Sequence, residues 1–206
     1  MLLNTLALIS LIIIIILLRR LVNIFPSLLA CIIRWKESVN LEMSVKLSRD
    51  RNILAVALVI PFCITAFRFG IYSPSFLEGF NETLGLMITI GVFITYILLR
   101  LSLTALCRSK KSRKPAYATS VAAARTFFII LALLLMAIGG IMSFVGAAPD
   151  TIRDAMIWLS GAIYGLFLLR RIQIFASSYN FFTVFLYLCA LEIIPTGVLV
   201  TSAMIL

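Results

Sequence analysis

Two charged residues, Arg68 and Glu192, lie inside long apolar stretches of the sequence, where each needs a partner, a proton or water. A charge near the centre of a bilayer costs about 2.5–3.5 kcal/mol on insertion scales. Because a helix rises about 1.5 Å per residue, we expect the two side chains at depths that differ by about 6 Å, within the reach of an arginine. We predict a buried ion pair between two helices. Two alternatives remain open: Glu192 titrates in a proton or ion path, or it contacts a polar group of another subunit.

The other side chains provide no set of catalytic or metal-binding groups. The sequence has no histidine, which is the commonest metal ligand and a frequent general base. Its four cysteines are far apart and form no CxxC motif, so we interpret them as small apolar fillers: Cys31, Cys63, Cys107 and Cys189. An active site would need at least two convergent polar groups, and only Arg68 and Glu192 could meet. We therefore expect no enzyme activity, no metal and no cofactor.

The composition indicates that most of this chain is surrounded by lipid. Hydrophobic residues make up 63% and charged residues 13% of its 206 residues, and the mean hydropathy is +1.15. A soluble domain of this size could not hide so much apolar surface. Six apolar runs are close to or above the roughly 20 residues that a membrane-spanning helix needs, and none alternates with period two. We predict an all-α membrane protein, a single integral membrane domain over residues 1–206 with six transmembrane helices at about 2–18, 53–72, 83–106, 121–148, 152–169 and 181–204.

Lysine and arginine are concentrated in alternate connections between these runs. Residues 19–52 hold seven of the 18, residues 100–125 hold seven more, and Arg170 and Arg171 follow the fifth run. By the positive-inside rule, both termini are predicted on the periplasmic side of a bacterial inner membrane. The same rule predicts three cytoplasmic loops: 19–52, 107–120 and 170–180. The net charge of +10 then favours contact with anionic lipid headgroups, and we expect no nucleic acid partner.

The first predicted cytoplasmic loop is too long for a simple turn. Pro26 suits the first turn of a short interfacial helix that ends near Trp35, which would lie at the level of the headgroups. The residues that follow alternate between apolar and polar, with the apolar set Val39, Leu41, Met43, Val45 and Leu47. A strand would place all five on one face and could pair with another chain. A helix is the alternative that the pattern leaves open.

Small residues four apart on two predicted helices allow close helix contact. Gly139 and Ser143 lie on the fourth helix, and Gly161 and Gly165 on the fifth. Such pairs let two helix backbones approach each other. We predict that they serve helix packing within the chain, with a dimer seam as the alternative.

The last apolar run resembles the signature of a known family. Its segment Tyr187-Leu188-Cys189-Ala190-Leu191-Glu192-Ile193-Ile194-Pro195 resembles the Tyr-Leu-Cys-Ala-Leu-Glu-x-x-Pro core of an uncharacterised multi-pass inner-membrane family, a domain of unknown function found mainly in Bacteroidota. The resemblance covers nearly the whole chain and marks Tyr187, Glu192 and Pro195 as family features. It implies a multi-pass inner-membrane protein and brings no known activity with it.

The sequence favours a role in interaction over a role in transport. Few polar groups lie in the predicted spans, little mass lies outside them, and the first loop offers a strand-like segment and an interfacial helix. We expect a non-catalytic accessory or scaffold subunit whose partners are membrane lipids and other integral membrane proteins. The bacterial context that the resemblance implies suggests protein export or envelope biogenesis. The alternative is a small ion- or proton-coupled transporter or channel that uses Arg68 and Glu192.

Overall fold

The structure, a computed structural model, describes residues 2–33, 44–72, 74, 80–106, 114–176 and 180–205. This part of the chain is helical apart from short turns, which confirms the predicted all-α fold. The elements follow in this order: α1 Leu2–Ile33, α2 Val45–Ala57, α3 Val59–Arg68, α4 Glu82–Leu106, α5 Lys114–Val145, α6 Pro149–Ala176, α7 Phe181–Leu188, a π-helix Cys189–Ile193 and α8 Ile194–Ile205.

Six helical segments of the described residues are long and apolar enough to cross a bilayer. Two of them combine shorter elements, because α2 continues into α3 through Leu58, and α7 continues through the π-helix into α8. The segments are Leu11–Ile32, Val45–Arg68, Glu82–Ala105, Thr119–Val145, Pro149–Ala176 and Val184–Ala203. The fold is therefore that of a multi-pass helical membrane protein.

The first helix differs from its prediction. It was expected to end at residue 18 and to be followed by a separate interfacial helix from Pro26, but α1 runs without a break to Ile33 and contains Pro26. Proline is tolerated inside helices that pack against neighbouring helices in a membrane. Here the turns around Pro26 are anchored by Ile24, Leu28 and Cys31, which are fully buried in the main core cluster. Trp35 lies outside the described residues.

The predicted strand is wrong where the structure describes it. Val45 and Leu47 lie in α2, which begins after Ser44. A strand in this segment would have left its backbone groups unpaired, whereas the helix satisfies them internally. Val39, Leu41 and Met43 lie outside the described residues.

Contacts between helices group the helix ends at two sides of the bundle. Asn52 on α2 accepts a hydrogen bond from Arg125 on α5, and Arg171 on α6 donates to Ser120 on α5. These contacts place the start of α2, the start of α5 and the end of α6 at one side. We call it the basic end, because the predicted basic loops connect the helices there. The other side is called the opposite end.

Close packing at the opposite end depends on Gly139, which is buried in α5. A Cβ atom at this position would lie 2.5 Å from Met156 Cε and 2.8 Å from Phe69 Cε2. A side chain at this position would force Met156 or Phe69 to move. This contact agrees with the predicted role of Gly139 in helix packing within the chain.

The other three small residues do not pack as predicted. A Cβ atom at Gly161 or Gly165 would meet no described atom within 4 Å, and Ser143 is exposed. These residues therefore face the surface of the described bundle. The sequence shows the spacing of small residues, but it does not show which side of a helix its neighbours cover.

Candidate functional site

Glu192 lies at the basic end of the bundle and contacts two arginines from two other helices. Arg100 Nη2, on α4, donates to both carboxylate oxygens of Glu192 at 2.5 and 2.6 Å. Arg171 Nη1, on α6, forms an ion pair with Glu192 Oε1. The Glu192 side chain is 1% exposed. We call these three residues the arginine–glutamate cluster, and it joins α4, α6 and the last span.

The backbone around Glu192 forms a π-helical turn, in which a hydrogen bond spans five residues instead of the four of an α-helix. The π-helix Cys189–Ile193 contains Glu192, and the N–H of Ile194 donates to the carbonyl of Cys189. Pro195 follows directly and is buried. A proline has no N–H to donate, and its ring crowds the carbonyl four residues earlier, so a wide turn relieves the conflict. Single π-helical turns of this kind are frequent at functional sites.

Aromatic rings surround the two arginines. The ring of Phe167 faces both guanidinium groups, with its centroid 5.4 Å from Arg100 Cζ and 5.7 Å from Arg171 Cζ. The ring centroid of Phe175 also lies 5.7 Å from Arg171 Cζ. Cation–π contact of this kind stabilises a charge that has little water around it. Arg171 is 3% exposed and also donates to Ser120 Oγ, whereas Arg100 is 24% exposed.

The predicted ion pair between Arg68 and Glu192 is wrong in its arginine. Arg68 is exposed at the last residue of α3, at the opposite end of the bundle. The prediction counted helical rise from residue 53, but the helix begins at Val45. With that start, Arg68 lies about 35 Å along its span and Glu192 about 16 Å along its own, too far apart for contact.

Sequence reasoning missed Arg100 and Arg171 because arginines near helix ends usually extend their charge to water. One signal was available for Arg100, since it lies inside the predicted span 83–106 and is flanked by leucines. An arginine inside an apolar span is the expected partner for a carboxylate in another span. Nothing in the sequence distinguishes Arg171 from the adjacent Arg170, which donates to the Ile32 carbonyl instead.

Further polar contacts lie beside the cluster at the basic end. Arg20 on α1 pairs with Asp50 on α2 at 3.2 Å. Asn52 Oδ1 accepts from Arg125 at 2.8 Å and from Arg51, which is 1% exposed. Together with the arginine–glutamate cluster, these contacts link every membrane span. We call the whole set the polar layer: Arg20, Asp50, Arg51, Asn52, Arg100, Ser120, Arg125, Arg171 and Glu192.

Hydroxyl groups continue from Glu192 along the last span toward the opposite end. Tyr164 donates to the backbone carbonyl of Glu192 at 3.2 Å. One helical turn further, the hydroxyls of Tyr96 and Thr196 lie 3.0 Å apart, and near the end of α8 those of Tyr72 and Ser202 lie 3.3 Å apart. The pair of Tyr96 and Thr196 joins α4 to the last span.

Two other residues of the predicted motif also belong to the cluster's surroundings. Tyr187 stacks on Phe175, with ring centroids 6.0 Å apart, and Phe175 in turn contacts Arg171. Pro195 is buried two residues after the end of the π-helix. The motif therefore encodes the carboxylate, the wide turn and one aromatic neighbour of the arginine partner.

The cluster holds a carboxylate between two guanidinium groups. An apolar groove lies elsewhere, between α1, α2 and α5. Its lining includes Leu17, Leu21 and Leu54, and no residue of the cluster. Among the described residues, no group of three His, Cys, Asp or Glu side chains could hold a metal ion.

The fold and the cluster define a helical multi-pass membrane protein with a charged clamp at one end. The family model of the domain of unknown function DUF4271 matches residues 4–202. The chain belongs to this family, in agreement with the predicted resemblance to an uncharacterised family. No curated protein and no solved structure matches the chain.

Proposed function

We propose that the chain is a non-catalytic accessory or scaffold subunit of a larger assembly in a bacterial inner membrane. The observation that carries the proposal is the state of Glu192. Both of its oxygens are occupied by arginines from α4 and α6, and its side chain is 1% exposed. A carboxylate that carried protons or ions would need access to water on at least one side. Held in this way, Glu192 serves to fix three helices relative to one another.

The surface of the bundle supports a role in assembly. Gly161 and Gly165 face outward from α6, where small residues allow another helix to approach closely. Trp158, one turn away on the same helix, is 81% exposed. A rigid bundle with an outward face of this kind is suited to hold partner helices in the membrane.

The test measures both the partners and the abundance of the protein. Gentle detergent extraction followed by native mass measurement is expected to recover the chain together with at least one other membrane protein. Glu192→Gln is expected to lower the protein level or the recovery of that complex, because it breaks the clamp. Glu82→Gln is the matched control, since Glu82 is exposed in the first turn of α4. A monomer that co-purifies with nothing would contradict the proposal.

The proposed orientation places the basic end in the cytoplasm and both termini in the periplasm. A membrane-impermeant maleimide added to the periplasm is expected to label Asp150→Cys, because Asp150 is exposed at the opposite end. The same reagent is expected to leave Lys111→Cys unlabelled, because that residue lies in a predicted basic loop. Labelling of Lys111→Cys alone would invert the orientation.

A transporter or channel is the second candidate, and the row of hydroxyls beside the last span favours it. The hydroxyls of Tyr96, Thr196, Tyr72 and Ser202 lead from the level of Glu192 toward the opposite end. Proteoliposomes would show a proton-dependent flux that Glu192→Gln abolishes at normal protein abundance. That result would support transport and contradict a purely structural role for Glu192.

A further inference from the structure

The arginine–glutamate cluster carries one more positive than negative charge. Two guanidinium groups, those of Arg100 and Arg171, face the single carboxylate of Glu192. Arg171 is 3% exposed, so water screens this charge only weakly. A surplus positive charge in such a site favours an anion nearby. Any further acceptor for the two arginines must come from outside the three residues.

Arg100 is the member of the cluster that an external anion can reach. Its side chain is 24% exposed, whereas those of Arg171 and Glu192 are 3% and 1% exposed. A single nitrogen of Arg100, Nη2, contacts both carboxylate oxygens. Its Nε and Nη1 make no hydrogen bond to the described residues and can donate to a second acceptor. Guanidinium groups bind phosphate oxygens well, because their N–H groups diverge in a plane.

The depth of Arg100 matches the level of lipid phosphates. Between Glu82 at the start of α4 and Arg100, the helix rises about 27 Å. Between Arg125 of the same polar layer and Val145 at the end of α5, it rises about 30 Å. The hydrocarbon core of a bilayer is also about 30 Å thick. If Glu82 and Val145 lie at one face of this core, Arg100 and Arg125 lie near the other face, within reach of the headgroups.

The surface around Arg100 is suited to acyl chains. Leu98 and Leu99 precede it on α4 and are 58% and 45% exposed. A lipid bound here would place its phosphate on Arg100 and its tails along these leucines, toward the middle of the bilayer. We propose that Arg100 is the phosphate-binding residue of a site for one anionic phospholipid, in the leaflet at the basic end. The proposal goes beyond the scaffold role and does not depend on it.

Native mass measurement of the purified full-length chain tests the proposal with defined probes. With phosphatidylglycerol added, we expect one lipid per chain, bound roughly tenfold or more tightly than phosphatidylcholine, since the bond is charge-assisted. Arg100→Gln is expected to remove this preference. Arg68→Gln is the matched control and is expected to retain it, because Arg68 is exposed at the opposite end. Equal binding of the two lipids by the unaltered chain would overturn the proposal.

A second measurement avoids any effect of Arg100→Gln on folding. The unaltered chain is placed in nanodiscs of phosphatidylglycerol or phosphatidylcholine, and its arginines are modified with phenylglyoxal. We expect phosphatidylglycerol to slow modification of Arg100 severalfold and to leave Arg68 unaffected. Equal modification of Arg100 in both lipids would overturn the proposal. Protection of the same size by inorganic phosphate in phosphatidylcholine would assign the site to a free anion and overturn the lipid assignment.

Discussion

The two ends of the helical bundle are held together by different interactions. At the basic end, charged side chains of the polar layer join the spans, with Glu192 between Arg100 and Arg171. At the opposite end, the contact depends on shape, with Gly139 against Phe69 and Met156. A charge network in a dry site loses most of its value when one member is removed, whereas apolar packing weakens in proportion to the atoms lost or added. The difference predicts an ordered series of effects on stability.

The largest effect is expected for Glu192→Ala. Its removal leaves two arginines facing each other with little water, and breaking a buried ion pair typically costs about 3–5 kcal/mol. The change would be measured as a loss in the free energy of unfolding in detergent, or as loss of folded protein. Glu82→Ala, at the exposed start of α4, is the control and is expected to have little effect. Equal stability of the two variants would show that the cluster does not clamp the helices.

The presence of six apolar helices could be predicted from the sequence, whereas the partners of Glu192 could not. Length and apolarity are properties of one segment, so they can be read locally. The partner of a buried charge depends on which helices are neighbours and where each begins. The predicted depth of Arg68 was wrong for the same reason. It was counted from residue 53, whereas the helix begins eight residues earlier, at Val45.

The first helix is a second case in which local sequence signals led to a wrong prediction. Arg19, Arg20 and Pro26 all indicated a break after residue 18, and each is a sound local signal. In the structure, Arg20 is paired with Asp50, and one face of the turns around Pro26 is buried through Ile24, Leu28 and Cys31. Tertiary contacts therefore continue the helix through a segment where local signals predict its end.

An intermediate effect is expected for Gly139→Ala at the opposite end. The new methyl group would lie 2.8 Å from the ring of Phe69, and such overpacking costs about 1–3 kcal/mol. Gly140→Ala is a close control, because a Cβ atom at Gly140 meets nothing within 4 Å. The midpoint of thermal unfolding is expected to fall for the first variant alone. A fall of the same size in both would indicate a general effect of alanine in α5 rather than the contact with α3.

A smaller effect on stability is expected for the hydroxyl pair of Tyr96 and Thr196, which lies between the two ends of the bundle. Their oxygens lie 3.0 Å apart, and a single hydrogen bond contributes about 0.5–1.5 kcal/mol. A double-mutant cycle with Tyr96→Phe and Thr196→Val measures this coupling as an interaction free energy of unfolding. Thr201→Val is the control, because Thr201 donates to a carbonyl of its own helix and is exposed. A coupling of zero would mean that the hydroxyls do not contribute to the contact between α4 and α8.

No loss of stability of the single chain is expected for Gly161→Ala combined with Gly165→Ala. Both positions face outward on α6, and alanine is the better helix former by up to about 1 kcal/mol for each residue. The added methyl groups would instead obstruct a partner helix, because close approach requires small residues. Recovery of the native complex should therefore fall while the stability of the isolated chain does not. A loss of stability comparable to that of Gly139→Ala would show that another part of the same chain covers this face, and the outward surface of α6 would no longer support a role in assembly.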